Sequence, residues 1–264
     1  MLTLYHASHS PCAQKVRLVL AEKDIAFESV MFDLATKEHL NPDYLKINPK
    51  GVVPALVDDG AIITESTVIC EYLDDRFAQS SLRPANAVAR ARMRLWLKLV
   101  DEVLHPATAP VVFTALMRPM FLAKSEDERE ALFAKVPDPV RRERQRRLVA
   151  LGFDAPDVTP ALADWAYALQ RAEKDLASAP WLAGESYSLA DAALTPYVEI
   201  MRNLDVRRVF DELPRLADWF ARAQARPSHY VAMARYTSES HAAYAARIAK
   251  DVGPKIGAAL PLAA

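Results

Sequence analysis

The segment between His6 and Cys12 carries the side chains best suited to sulfur chemistry. Ser10 and Cys12 flank Pro11, a residue favoured in the first turn of a helix, and an apolar helical pattern follows them. A helix amino terminus carries partial positive charge and a hydroxyl can donate a hydrogen bond, so together they stabilise a thiolate. Lowering a thiol pKa by about two units requires ~2.7 kcal/mol of such stabilisation. The candidate groups are Tyr5, Ser8, Ser10 and Cys12.

A second group of residues offers polar contacts at a helix start. Thr64, Glu65 and Ser66 lie where a strand pattern gives way to a helical one. The unpaired N–H groups of a helix start can hold a carboxylate, the Ser66 hydroxyl adds a donor, and Glu65 can accept from an ammonium group. This junction therefore suits the zwitterionic end of a ligand, and the same residues can cap the helix.

Three other polar patterns receive simpler interpretations. His6, His9 and Cys12 are spaced three apart, but a structural zinc site takes four ligands and no fourth is close in sequence, so we expect no metal. The arginines of residues 141–147 are typical of a solvated or salt-bridged helix face, with steering of anionic ligands at a cleft edge as the alternative. Ser188 and Asp191 form a capping box that begins a core helix.

Composition excludes several classes of function. The formal net charge of -1 gives no general basis for binding nucleic acid or an anionic membrane, and the 6 glycines form neither of the glycine-rich phosphate-binding motifs. Two cysteines are too few for a disulfide framework, and neither a leader-like opening nor an apolar run of about 18 residues occurs. We therefore expect a soluble cytoplasmic protein with no nucleic-acid or membrane partner.

The periodicity of the sequence changes once, near residues 78–86. Before this point the chain predicts strands at residues 1–5, 25–32, 52–57 and 61–63, in the order β-α-β-(α)-β-β-α. After it, helical periods occupy residues 87–112, 126–134, 139–151, 160–177, 189–204, 213–225 and 230–249. The fold class predicted is α+β. A thioredoxin-like domain with a four-stranded mixed sheet (1–80) precedes an all-helical bundle (87–250) and a loosely ordered tail (251–264).

Three stretches of the chain resemble the glutathione S-transferases. They are LYHASHSPCAQKVRLVLAEK, INPKGVVPALVDDGAIITESTVICEYLDDRF and WLAGESYSLADAAL. The pattern is most similar to bacterial β-etherase-like and ganglioside-induced differentiation-associated (GDAP)-like members. The resemblance implies that glutathione is the co-substrate and that the Val53–Pro54 bond is cis, with the Val53 main chain pairing with the cysteinyl unit. It also implies that Glu65 and Ser66 hold the γ-glutamyl end.

The resemblance assigns further roles, with alternatives. His39 would bind the glycine carboxylate, a task that Lys37 or Lys50 can share, and a solvated loop histidine is the other interpretation. Ser10 stands at the position of the thiolate donor, and Cys12 is the alternative as a covalent nucleophile. The catalytic serine of the β-etherases falls at Ala13 here, which puts ether cleavage in question.

The function implied is attack of the glutathione thiolate on a hydrophobic, often aromatic, electrophile, by conjugation, thiolytic substitution or ether cleavage. Such chemistry serves detoxification or the catabolism of lignin-like aromatic ethers. The residues expected to wall the electrophile pocket are Phe113, Leu116, Met117 and Met120. A homodimer is expected, with residues 61–105 contributing. Two alternatives remain: a non-catalytic binding or regulatory protein, and a glutathione-dependent thiol reductase that uses Cys12.

Overall fold

A mixed four-stranded sheet forms the first part of the computed structural model, which describes residues 1–262. The strands are β1 (Leu2–His6), β2 (Glu28–Met31), β3 (Ala55–Asp58) and β4 (Ala61–Thr64), and the helices among them are α1 (Pro11–Glu22), α2 (Pro42–Ile47) and α3 (Ser66–Arg76). The sheet order is β2-β1-β3-β4, with β2 parallel and β3 antiparallel to β1. This is a thioredoxin-like arrangement, as the sequence predicts.

The rest of the chain is helical. Helices α4 (Ala87–Leu99), α5 (His105–Val112) and α6 (Arg118–Leu122) are joined by the π-helical segments Val100–Leu104 and Phe113–Met117 into one continuous helix. The following helices are α7 (Glu126–Ala134), α8 (Pro139–Leu151), α9 (Val158–Asp175), α10 (Leu189–Asn203), α11 (Arg207–Glu212), α12 (Pro214–Gln224), α13 (Pro227–Ala232) and α14 (Glu239–Ala259). The predicted α+β class is confirmed.

The continuous helix passes a simple test for membrane-spanning length and hydropathy. Core helices of folded domains pass the same test, and the inward side chains of this one are buried against the remaining helices. These are Met93, Trp96, Leu97, Val100, Leu104 and Val111. The apolar character of this helix is therefore explained by the core that it helps to form.

Two predictions about the carboxyl-terminal region are wrong. The helix expected at residues 230–249 is divided into α13 and α14 by a 3₁₀ turn, Ala234–Tyr236. The tail expected to be loose from residue 251 continues α14 to Ala259 instead. Leu260 and Leu262 are buried, and the Arg208 guanidinium donates to the carbonyls of Gly257 and Leu260 at 3.1 and 2.9 Å. These contacts hold the segment, while residues 263–264 of the predicted tail lie outside the described residues.

Ser188 and Asp191 form a capping box at the start of the core helix α10, as the sequence predicts. The Asp191 carboxylate accepts hydrogen bonds from the Ser188 main-chain N–H and hydroxyl, both at 2.8 Å. It also accepts from the Leu182 N–H at 3.0 Å and from the indole N–H of the fully buried Trp219 at 2.8 Å. Every donor around this buried carboxylate therefore has a partner, and the motif has a folding role.

Helix α1 positions the loop that follows β1. It packs between the sheet domain and the helical domain, against α3, α10 and α13. The buried Arg17 side chain on α1 donates to the carbonyls of Ala7 and Ser8 at 3.0 and 2.7 Å and to the Ala232 carbonyl at 2.7 Å. The loop that carries the predicted sulfur chemistry is thus fixed to both domains.

Candidate active site

Ser10 caps the amino terminus of α1. Its φ and ψ angles of -73° and 117° are extended, and its hydroxyl oxygen accepts a hydrogen bond from the Ala13 N–H at 3.3 Å. A hydroxyl that accepts one hydrogen bond still has its own hydrogen to donate. The Ser10 side chain, which is 8% exposed, can therefore cap the helix and still donate to a ligand.

Cys12 lies against two side chains of the helical domain. Its sulfur is 3.5 Å from Nδ1 and 3.6 Å from Nε2 of His105 on α5, and 3.9 Å from the hydroxyl of Tyr197 on α10. The Tyr197 hydroxyl lies 3.1 Å from His105 Nδ1. The three groups form a connected cluster at the junction of the two domains, and Cys12 remains partly accessible.

The charges around Cys12 favour its thiolate. Burial would raise the pKa of this thiol, but the charges of Lys15 and His105 outweigh burial and lower the pKa to about 6, with further help from the Ser66 hydroxyl. Burial would lower the pKa of His105, yet the Cys12 thiolate raises it. Each group therefore favours the charged form of the other, a thiolate at Cys12 and an imidazolium at His105.

The second cation beside Cys12 is held by a carboxylate. The Lys15 ammonium, whose side chain is 1% exposed, lies 2.7 Å from Oδ1 of Asp101 and 3.4 Å from the Thr67 hydroxyl. The other cysteine, Cys70, is in a different environment, where burial raises the pKa of its thiol to about 12. The environments of the two cysteines therefore shift their pKa values in opposite directions, and only Cys12 is activated.

The sequence did not reveal the partners of Cys12. His105 and Tyr197 are 93 and 185 residues away in the chain, so no local spacing links them to the thiol. The feature of the sequence that could have indicated His105 was a histidine at the start of the apolar segment His105–Val112. By contrast, the spacing of His6, His9 and Cys12 does not produce a cluster. His6 contacts Arg17 and Ser29, and His9 stacks on His241 at 3.4 Å.

The loop before β3 presents main-chain groups beside this site. The Val53–Pro54 peptide bond is cis, as the resemblance to the glutathione S-transferases implies. The Val52 carbonyl is fixed by the Tyr44 hydroxyl at 2.6 Å and by the Asn48 amide at 2.8 Å. Within residues 1–262, the Val53 main chain takes no part in the turn and loop hydrogen bonds. Its N–H and C=O remain available to a ligand in extended conformation.

Glu65 and Ser66 occupy the start of α3. Glu65 has φ of 65° and ψ of 114°, a backbone conformation that costs a non-glycine residue about 1–3 kcal/mol. Its carboxylate is exposed and lies 2.7 Å from the Lys50 ammonium. Ser66 is 6% exposed and is the first residue of α3, next to Cys12. The fold thus brings the amino termini of α1 and α3 together.

His39 is buried rather than solvated. It lies in the 3₁₀ turn Glu38–Leu40 and is 9% exposed. Burial, reinforced by the charges of Lys37 and Arg141, lowers the pKa of its imidazole to about 4. The interpretation of His39 as a solvated loop histidine is therefore wrong, and its neutral ring is the form present near neutral pH.

The predicted electrophile pocket lies along the second π-helical segment and α6. Phe113, Leu116 and Met117 are partly buried, and Met120 is 39% exposed. Part of this surface is structural, because the Phe113 ring packs on Phe121 at 5.4 Å and on the core. Met120 is the most exposed of the four, and the role of all four in binding stays a prediction.

The two remaining thiolate-donor candidates have other contacts. The Tyr5 ring packs against Phe32 and Tyr44, with centroid distances of 6.3 and 5.7 Å. Ser8 contributes its main-chain carbonyl to the Arg17 guanidinium. Tyr5 is therefore part of the aromatic packing at the sheet, and Ser10 and Cys12 remain the groups best placed at the start of α1.

Comparison with known proteins gives matches over most of the chain. The family model "Glutathione S-transferase, N-terminal domain" matches residues 4–81, and "Glutathione S-transferase, C-terminal domain" matches residues 105–227. Protein LigF of Sphingobium sp. (strain NBRC 103272 / SYK-6) is 34% identical over 239 residues, which cover 86% of this chain and 91% of LigF. Glutathione S-transferase 3 of Zea mays is 32% identical over 231 residues, covering 86% of this chain and 90% of the maize protein.

Solved structures give the same result. The crystal structure of the β-etherase LigF from Sphingobium sp. strain SYK-6 has a TM-score of 0.77 at 32% identity, over 88% of this chain and 98% of that one. Glutathione transferase F7 from Populus trichocarpa has a TM-score of 0.68 at 27% identity, over 90% of this chain and 100% of the poplar chain.

Proposed function

The chain belongs to the glutathione S-transferase family, a family of enzymes that use glutathione as co-substrate, and from this premise we propose that it catalyses attack of the glutathione thiolate on a hydrophobic electrophile. The observation that supports this most is the meeting of two helix amino termini, those of α1 and α3, at the sheet edge where β3 begins. Within residues 1–262, the Val53 main chain at this edge makes no turn or loop hydrogen bond. Helix amino termini stabilise anions, and a free main-chain edge binds an extended peptide.

Glutathione fits this arrangement as an added strand. The main-chain groups of Val53 pair with the cysteinyl unit, the Glu65 carboxylate accepts from the γ-glutamyl ammonium group, and Ser66 with the start of α3 holds the γ-glutamyl carboxylate. The cysteinyl sulfur then lies toward the start of α1. There the Ser10 hydroxyl donates a hydrogen bond to the thiolate and keeps it ionised at neutral pH.

The electrophile is held by the helical domain. Met117 and Met120 offer adaptable apolar contacts beside Phe113 and Leu116, which suits aryl halides, epoxides, activated alkenes and β-aryl ethers. The likeness to LigF favours an aromatic ether and a place in aromatic catabolism, while Ala13 in the serine position of the β-etherases favours other electrophiles. We propose a cytoplasmic enzyme of detoxification or aromatic catabolism.

A second activity, glutathione-dependent disulfide reduction, is favoured by the thiolate–imidazolium pair of Cys12 and His105. The Cys12 thiolate attacks the glutathione sulfur of a glutathione mixed disulfide, and a Cys12–glutathione disulfide forms. The departing thiolate takes a proton from the His105 imidazolium. A second glutathione gives its thiol proton to His105, and its thiolate attacks the glutathione sulfur of the mixed disulfide. This step releases Cys12 as its thiolate, forms glutathione disulfide and restores the imidazolium.

Binding to immobilised glutathione, with elution by free glutathione, tests the shared premise of both activities. Ser10→Ala should lower turnover of an aryl halide roughly 100-fold, because a thiolate donor is lost, whereas Cys12→Ala should abolish disulfide reduction alone. Ser10→Gly is the matched control, since glycine largely preserves helix capping and also lacks the hydroxyl. Loss of aryl-halide turnover only in Cys12→Ala would overturn the assignment to Ser10. No retention at millimolar concentrations would remove both activities.

We also propose a two-fold homodimer through residues 61–105. Large apolar side chains are exposed along this stretch: Ile62, Val68, Val88 and Leu95. A shallow groove of about 570 Å³ on the outer face of α4 is lined by Ala87, Arg90, Ala91, Arg94, Leu95 and Lys98. Glu71 and Glu102 lie near the same face as these cations. A surface that carries exposed apolar groups and charges of both signs can pair with a second copy of itself.

A further inference from the structure

The Tyr197 side chain on α10 contacts both Cys12 and His105, and no step of the proposed reactions uses it. Its hydroxyl oxygen lies 3.1 Å from Nδ1 of His105 and 3.9 Å from the Cys12 sulfur. Within residues 1–262, this hydroxyl has no other hydrogen-bond partner. Tyr197 is 0% exposed, so bulk water does not compete for these contacts. The hydroxyl therefore interacts only with the two groups proposed to carry out the sulfur chemistry.

Packing on two sides holds the Tyr197 ring in this position. The ring lies 6.2 Å, centroid to centroid, from the indole of Trp165 on α9. It lies at the same distance from the imidazole of His105, and the two ring planes are nearly perpendicular, at 78°. Trp165 is also 0% exposed. Side chains in such a close-packed interior sit in one rotamer well, so the hydroxyl is presented to His105 before a substrate binds.

His105 directly follows the π-helical segment Val100–Leu104. Asp101 lies in this segment and binds Lys15, which is one turn after Cys12 on α1. The two helices therefore meet at two neighbouring points, Asp101 with Lys15 and His105 with Cys12. Lys15 and Asp101 are also the other charged groups that act on the pKa of His105. π-helical turns are rare and occur frequently at functional sites, and this one places the imidazole beside the thiol.

The hydrogens of this cluster have one arrangement when Cys12 is a thiolate and His105 an imidazolium. A thiolate only accepts hydrogen bonds, and burial raises the pKa of the Tyr197 hydroxyl well above its usual range, so the hydroxyl keeps its hydrogen. That hydrogen points to the Cys12 sulfur, and the hydroxyl oxygen accepts from the Nδ1–H of His105. Nε2, 3.6 Å from the sulfur, is the nitrogen left to exchange a proton with a substrate thiol.

We propose that Tyr197 is a positioning residue for the chemistry of Cys12, which holds one proton of His105 on Nδ1 and so directs proton exchange to Nε2. A nucleophile, a base within hydrogen-bond reach and a third group that orients the base are the arrangement that supports nucleophilic catalysis on many folds. In the proposed disulfide reduction, the departing thiolate takes its proton from Nε2, and the second glutathione returns a proton to the same nitrogen. This catalytic consequence rests on that proposed activity, whereas the orientation of His105 does not.

Tyr197→Phe removes the hydroxyl and keeps the ring that packs on Trp165. The imidazolium loses the acceptor of its Nδ1–H, so the pKa of His105, followed by its imidazole NMR signals, should fall by about 0.5–1 unit. The pKa of the Cys12 thiol, followed by the rate of iodoacetamide alkylation in a Cys70→Ala background, should rise by a similar amount. These two measurements need neither glutathione nor turnover.

Tyr187→Phe is the matched control. It removes a hydroxyl from another buried tyrosine, whose ring lies against Trp181 and the Arg226 guanidinium. In the wild type, the Nδ1–H of His105 should exchange slowly with water, because it is buried and hydrogen-bonded. A rapidly exchanging Nδ1–H, unchanged pKa values in Tyr197→Phe, or equal shifts in Tyr187→Phe would each overturn the inference.

Turnover of a glutathione mixed disulfide gives the catalytic readout. Tyr197→Phe should lower kcat roughly 3- to 10-fold and leave KM unchanged, because the hydroxyl acts on His105 and does not touch the substrate. In a His105→Asn background the same change should have little further effect on kcat, and an equal loss in both backgrounds contradicts a role through the imidazole. If the wild type reduces no disulfide, the proposed activity fails, and the two pKa measurements still decide the role of Tyr197.

Discussion

Replacing His105 with asparagine should make the Cys12 thiol a much weaker acid. In the structure the two ring nitrogens lie 3.5 and 3.6 Å from the sulfur, and the pKa of the thiol falls from its ordinary 9.0 to about 6. Three pKa units correspond to ~4 kcal/mol in favour of the thiolate. At pH 7 a thiol with this pKa is roughly 90% ionised, whereas an ordinary cysteine is only a few per cent ionised.

Two cations produce this stabilisation, so the loss of His105 should remove only part of it. Lys15 remains, held by Asp101, and we expect the pKa of the thiol to rise by ~1–2 units, equivalent to ~1.4–2.7 kcal/mol. Because the thiolate is the reactive form, alkylation of Cys12 at pH 6 should slow roughly 5- to 50-fold.

The rate of alkylation by iodoacetamide, measured between about pH 4 and pH 9, tests this expectation. A Cys70→Ala background leaves a single thiol, and Cys12→Ala in that background gives the blank. His241→Asn is the matched control, since this histidine stacks on His9 and not on Cys12. The wild-type rate should rise with a midpoint near pH 6. A wild-type midpoint near pH 9, or a midpoint unchanged in His105→Asn, would refute the reasoning.

Three further changes probe the fold and the assembly. Asp191→Ala should lower the free energy of unfolding, measured by urea denaturation, by about 3–5 kcal/mol. The reason is that the buried Trp219 indole and the cap of α10 lose their hydrogen-bond acceptor. A loss below about 1 kcal/mol would contradict this expectation. Asp74→Asn should cost about 3–5 kcal/mol, since it leaves the fully buried Lys23 ammonium without a counter-charge. Burial opposes ionisation of Asp74, but its hydrogen bonds with the Leu82 N–H, Lys23 and Arg83 lower its pKa. The Asp74 carboxylate therefore stabilises the folded protein above the unfolded-state pKa near 4, and this stabilisation is lost as the pH falls through the lower folded-state pKa. The wild type should lose stability below about pH 4 for this reason, and the asparagine variant should not. Leu95→Glu, on the 61%-exposed side chain of the proposed interface, should convert a dimer to a monomer in sedimentation. Leu151→Glu, the same change at a 48%-exposed leucine outside residues 61–105, is the control, and a wild-type monomer would contradict the assembly.

Local pattern was enough to predict most of the fold. Helices α7 and α8 begin and end at the predicted residues, because Ser125 and Asp138 are N-caps that local sequence identifies. The prediction was less accurate where tertiary packing determines where a strand or helix begins and ends. The strand expected over residues 25–32 shortens to Glu28–Met31. The tail is ordered because Ile256, Leu260 and Leu262 are buried.

Only part of the candidate site could be predicted from the sequence. Residues within a short motif, such as Ser10 at the start of α1, could be identified because capping and helix-terminal chemistry are local. The activation of Cys12 could not be identified in this way, since it depends on His105 and on Lys15 being buried against Asp101. Long-range pairing of charges is set by tertiary structure.

In the proposed complex, glutathione lies along the loop before β3 with its γ-glutamyl end at the start of α3. A crystal structure of the protein with bound glutathione measures this directly. We predict that the cysteinyl N–H and C=O make hydrogen bonds with the Val53 main chain, and that the γ-glutamyl group contacts Glu65 and Ser66. Glutathione bound elsewhere, or bound without contact to Val53 and Ser66, would contradict the account.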